Sequence, residues 1–69
     1  MQLKDYENRI SNIIANQQNA TLLTIQQAYE QKYNKFLSSS LANAFVNNLI
    51  KQHKVKKIVV NHTPYYNIA

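Results

Sequence analysis

The sequence predicts one small α+β domain over residues 1–69, three helices followed by a C-terminal β-hairpin, on three observations. Apolar residues recur at three- and four-residue steps as far as Leu49, the mark of amphipathic helices. After His53 the pattern changes to "VKKIVV" and "YYNI", β-branched and aromatic runs on either side of "NHTP". A chain of 69 residues has room for one domain with a thin core and no deep cleft.

Taken in order, Leu3, Tyr6, Ile10, Ile13 and Ile14 mark a first helix from about residue 3 to 17. "NQQNA", residues 16–20, is polar and aperiodic and reads as a loop. Leu22 and Leu23 form a short apolar run, expected to pair as a minor strand. "TIQQ" then opens a second helix, with Thr24 as its cap and Gln27 three residues on, the spacing of a capping box. Ile25, Ala28, Tyr29 and Tyr33 are the expected buried stripe, and Asn34 the left-handed stop in a chain without glycine.

"KFL" leads to a third helix, residues 38–52, for which Ser38, Ser39 and Ser40 are alternative N-caps. Leu41, Ala42, Phe45, Val46 and Leu49 share its expected core face. With ~100° per residue, Asn43, Asn47, Lys51 and, if the helix extends that far, Lys54 fall within about 60° of Ser40. That stripe carries no acid. In the hairpin, residues 55–60 and 65–68 with a four-residue connection, Pro64 has no amide hydrogen and suits a turn or an edge. Tyr65 and Tyr66 alternate across the sheet, so one packs inward and the other faces out, where it can stack on a base or sugar.

Helix, short strand, helix, helix and hairpin is the order of a winged helix, in which helices two and three form a helix-turn-helix and the hairpin is the wing. Charge gives that order a direction. The formal net charge is +5, yet residues 1–30 set Lys4 and Arg9 against Asp5, Glu7 and Glu30, while residues 31–69 hold six lysines and no acid. A field of that sign attracts a polyanion or an acidic protein surface. Ser40, Asn43, Asn47 and Lys51 are therefore expected along a nucleic-acid groove, and Lys54, Lys56 and Lys57 on the flanking phosphates. No Arg lies in this half, so bidentate guanine readout is absent and backbone and shape recognition are expected, on duplex DNA or structured RNA. Plainer roles exist too: Asn43 and Asn47 as ordinary surface in a chain with 17 Asn and Gln, and Lys54, Lys56 and Lys57 as gatekeepers of the sticky "IVV". A protein partner docked on the same fold is the competing expectation.

Catalysis is not expected. The three carboxylates form no pair, His53 and His62 are separated by a strand without an acid nearby, and there is neither cysteine nor a glycine-rich phosphate loop. No cofactor or metal is implied. No apolar run approaches the ~20 residues that span a bilayer, and "MQLKDYENRI" lacks the apolar core of a signal peptide, so an intracellular place, cytoplasm or nucleus, and no membrane are the expectations.

"TIQQAYEQKYNKFL", residues 24–37, resembles the second helix and following loop of LOTUS domains, also called OST-HTH, where a pattern like LxxLxxAYxKxFGxPL is common; Asn34 stands at the family's Gly. "FVNNLIKQHKVKKIVV", residues 45–60, is similar to that family's third helix and first wing strand. The resemblance implies a winged helix and a role in RNA biology, either binding structured RNA or docking on a helicase. "HTPYYNIA", residues 62–69, resembles the wing end of Zα domains, which contact left-handed duplex. There Asn43 stands for a helix-three Asn, with Asn47 where that family has Tyr and Thr63 where it has a first proline.

Overall fold

Helix α1 (Leu3–Ala15) forms where the apolar spacing places it, and ends when the Asn16 amide reaches the carbonyls of Asn12 and Ile13 and its side chain donates to Asn12 as well. The structure, a computed structural model, describes residues 3–69. Of the expected apolar face, Ile10, Ile13 and Ile14 are buried and Tyr6 packs on the core; the side chain of Leu3 lies outside the described residues.

The next segment differs from the expectation twice. Helix α2 (Leu22–Tyr33) starts at Leu22, so Leu22 and Leu23 are its first turn and not a strand. The strand-like residue is Ala20, in a single antiparallel bridge with Tyr66. The cap is Thr21, not Thr24. Thr21 is extended at φ −107° and ψ 167°, its hydroxyl accepts from the Thr24 amide at 3.2 Å, and the Thr24 hydroxyl accepts from the Thr21 amide at 2.9 Å. Thr24 thus fills the third helical position of a capping box shifted by one turn, and Gln27 is an exposed residue. With the helix beginning at Leu22, directly after the Thr21 cap, the two leucines have no extended backbone with which to pair.

Asn34 ends α2 as expected, at φ 54° and ψ 38°, its amide donating to Glu30 at 2.8 Å. The turn to the third helix is held by Leu37, buried to 1% exposure, whose carbonyl accepts from the Gln26 side chain at 3.0 Å. Helix α3 (Ser39–Lys51) is capped by Ser38, the first of the three serines, through the Leu41 amide at 3.2 Å. Ala42, Phe45, Val46 and Leu49 are buried, but Leu41, at the margin of the apolar arc, is 50% exposed.

Lys54 does not belong to α3. The helix closes with the Lys54 amide on Leu49 and the His53 amide on Ile50, both at 3.0 Å, around His53 at φ 61°. This paired 6→1 and 5→2 closure turns the backbone off the helix axis before Lys54.

Strands β1 (Val55–Val60) and β2 (Thr63–Ile68) pair antiparallel from Val55 opposite Ile68 to Val60 opposite Thr63. The connection is two residues, Asn61 and His62, instead of four, and Thr63 and Pro64 belong to β2. Both turn residues have positive φ, 51° and 66°, which fits the right-handed twist of the strands they join. Without glycine, the left-handed positions fall to Asn19, Asn34, Asn61 and both histidines, residue types enriched there over other non-glycine residues.

The three helices enclose the core. Tyr6 stacks between Phe45, with ring centres 5.1 Å apart, and Tyr29, 6.2 Å away, and so ties all three helices together. The hairpin joins this body through Tyr66 and Val55, each 2% exposed; of the two tyrosines, Tyr66 is therefore the inward one. Three packed helices followed by an antiparallel hairpin give an α+β, winged-helix-like topology. Among the described residues no helix is long and apolar enough to cross a membrane.

Candidate functional site

Helical spacing and the burial of the opposite face put Ser40, Asn43, Asn47 and Lys51 in one stripe on α3, and all four are exposed. They follow one another along the helix at three- and four-residue steps, so their side chains line a single track. Lys54, also exposed, lies beyond the end of that track in the turn to β1.

The strand register separates the wing lysines. Lys57 stands opposite Tyr66 and Lys56 opposite Asn67. Residues directly opposite in an antiparallel pair point to the same face, so Lys57 shares the inner face with the buried Tyr66 and Val55, and Lys56 shares the outer face with Asn67, Ile58 and Tyr65. Both lysines are exposed. They do not form one cluster with a common direction, as their adjacency in sequence suggests.

The loop before α2 builds a shallow hollow of about 430 Å³ with the hairpin, lined by Gln18, Asn19, the outer-face residues Lys56, Ile58 and Asn67, and Ile68. Two of these, Asn19 and Asn67, are bonded to each other: the Asn19 amide donates to the Asn67 side chain at 2.9 Å, and the Asn67 side chain donates back to that of Asn19 at 3.1 Å. Tyr65, half-buried, is the tyrosine on the outer face.

Long-range packing adds features that sequence spacing does not carry. The Gln52 side chain, one residue past α3, donates to the Glu7 carboxylate at 3.3 and 3.4 Å, which brings a negative charge from α1 to the end of the basic stripe. Arg9 lies 4.3 Å from the centre of the Tyr33 ring and donates to the Tyr29 hydroxyl at 3.2 Å; that hydrogen bond is the leading cause of a guanidinium pKa raised above its ordinary value. Lys32 approaches the same ring at 5.6 Å. Burial pushes the Tyr66 phenol pKa up as well.

Several large apolar side chains face solvent. Phe36 is 78% exposed in the turn between α2 and α3, Leu23 62% at the start of α2, and Leu41 lies in the first turn of α3. Nothing in the period of "KFL" distinguishes the buried Leu37 from the exposed Phe36. His53 and His62 sit at opposite ends of β1, and among the described residues no group of three or more histidines and carboxylates is placed to hold a metal ion. Comparison with known protein families and with curated proteins finds no match to this chain.

Proposed function

We propose that this winged-helix-like domain is a non-catalytic module that binds nucleic acid, duplex DNA or structured RNA. Ser40, Asn43, Asn47 and Lys51 run along the groove, and Lys54, Lys56 and Lys57 meet flanking phosphates. The observation that carries the reading is the coincidence of an exposed polar stripe on α3 with a half-chain of six lysines and no carboxylate of its own. Amide and hydroxyl side chains serve base edges and sugar-phosphate oxygens, and lysines supply point charge. The LOTUS likeness supports structured RNA as one ligand class.

A titration against duplex DNA, duplex RNA and single strands of each, at ~50 and ~200 mM salt, tests it, since contact with several phosphates lowers affinity by orders of magnitude over that range. Absence of binding at the lower salt rejects the reading. Lys56→Ala with Lys57→Ala reports on the wing, and unchanged affinity for every nucleic acid removes the wing from the interface. Because the two lysines occupy opposite faces, the single variants separate them: the lysine on the ligand's side carries most of the loss. Asn43→Ala with Asn47→Ala is expected to weaken binding without loss of fold.

A protein-docking role is the second reading, favoured by the exposure of Phe36, Leu41 and Leu23. Large apolar side chains left in solvent suit a partner surface, and binding through them depends weakly on salt.

A further inference from the structure

The hairpin has two edges, and the molecule treats them differently. Along β2, Tyr66 exchanges both backbone hydrogen bonds with Ala20, at 2.7 and 3.0 Å. Two residues away on the same side, Pro64 has no amide hydrogen to offer. That edge is closed. Along β1, Lys57 stands opposite Tyr66 and Val59 opposite Pro64. Since Tyr66 turns its backbone away from β1, these are the non-hydrogen-bonded pairs of the ladder, and Lys57 and Val59 turn their own amides and carbonyls away from β2.

Among the described residues no third strand lies on that side. Beside the open edge Ile58, Val59 and Val60 are 43, 59 and 50% exposed, and Lys56 and Lys57 are exposed too. A six-residue edge with free hydrogen-bonding groups and exposed β-branched side chains is a template for another strand.

We propose that the free edge of β1 takes an extended acidic segment of another protein as a third, antiparallel strand. Glu or Asp in that segment stand opposite Lys57 and Lys56, and apolar or β-branched residues stand opposite Val60, Val59 and Ile58. Read from its N-terminus, the segment is three apolar or β-branched positions followed by two acidic ones. Charge decides the occupant: the edge belongs to the half-chain with six lysines and no acid, and a second copy brings another +5 against it. The backbone supplies the attachment and the lysines the register, so the site stands apart from the α3 stripe but shares Lys56 and Lys57 with the wing end of the proposed nucleic-acid interface.

The test uses the full chain and an acetylated, amidated heptapeptide, Thr-Val-Thr-Val-Glu-Glu-Thr, followed by backbone amide spectra and hydrogen exchange. Saturating peptide is expected to slow exchange of the Lys57 and Val59 amides by about tenfold or more. Lys56→Glu with Lys57→Glu is expected to weaken binding about tenfold, while Lys35→Glu, the same kind of charge change in the turn before α3, stays within about twofold. The permuted peptide Glu-Val-Thr-Thr-Glu-Val-Thr, of equal charge, binds more weakly. The proposal is overturned by unprotected Lys57 and Val59 amides at peptide excess, by equal binding of the two peptides, or by an equal loss with Lys35→Glu. Protection of the same amides by self-association without peptide overturns it as well, because the edge then belongs to a second copy.

Discussion

The helical body and the hairpin are built on different terms. In the body, α1, α2 and α3 bury Ile10, Ile13, Ile14, Ile25, Tyr29, Ala42, Phe45, Val46 and Leu49, with Leu37 beneath the turn. The hairpin buries Val55 and Tyr66, and every other residue of β1 is exposed. Burial of apolar surface holds the body, whereas a two-residue anchor, the Ala20 bridge and the Asn19–Asn67 pair hold the base of the wing. Toward the turn the wing is therefore free to carry the exposed Ile58, Val59 and Val60 at little expense to folding, with Lys56 and Lys57 exposed beside its base. Candidate interface residues accumulate where the core does not need them.

The largest effect that sharpens this contrast is Phe45→Ala. Phe45 is 4% exposed and stacks on Tyr6, and its truncation is expected to remove about 4 kcal/mol. A domain of this size has roughly 5 kcal/mol to lose, so urea denaturation of the variant should find it close to unfolded at the start.

Tyr66→Ala comes next, at about 3 kcal/mol, with a different signature: amides of β1 and β2 lose exchange protection before those of α1–α3. Uniform loss across the chain would break the contrast by making the hairpin part of the same cooperative unit. The Tyr66 phenol gives a pH test of the same anchor. Its pKa in the folded chain lies above its ordinary value of 10.0, so the folded state holds the proton more tightly than the unfolded one. Stability is then level below the ordinary value and falls as the pH rises through it toward the folded pKa. A tyrosinate absorbance titration should show Tyr66→Phe removing one late-titrating phenol and flattening that fall.

A smaller effect separates the two threonines of the α2 cap. Thr21→Ala is expected to lose about 1 kcal/mol, measured by thermal unfolding, and Gln27→Ala to lie within ~0.5 kcal/mol of the parent. The smallest effect has the opposite sign. His62→Gly, at φ 66° in the wing turn, is expected to stabilise the hairpin by about 0.5 kcal/mol, read as slower exchange of its ladder amides with the helices unchanged.

Most of the fold was legible because its signals are local. The steps from Tyr6 to Ile14, the Asn34 stop, the serine cap and the change to β-branched residues at Val55 each depend on neighbours a few positions away. Exposure of the four α3 residues followed from the same wheel, since the side of a helix opposite its apolar stripe faces solvent. The misreadings share a cause. Leu22–Leu23 looked like a strand because two adjacent apolar residues suit a helix start equally well; Thr21 and Thr24 are both capping residues, and only the completed reciprocal bonds rank them. "NHTP" looked like a four-residue loop because Pro64 is a turn residue in most settings, and its tolerance inside β2 depends on its amide position facing away from β1.

The sequence by itself determined the three helices and the C-terminal hairpin, the left-handed stop at Asn34 and the acid-free basic half, since composition and short-range spacing contain them. Tertiary structure alone decided that Tyr66 and not Tyr65 is the anchor, that Lys56 and Lys57 part to opposite faces, that Glu7 meets Gln52, and that one hairpin edge is closed by Ala20 while the other stays open. These are relations between residues distant in the chain. They depend on register and packing, and a period of two or of 3.6 residues specifies a face without naming what that face will meet.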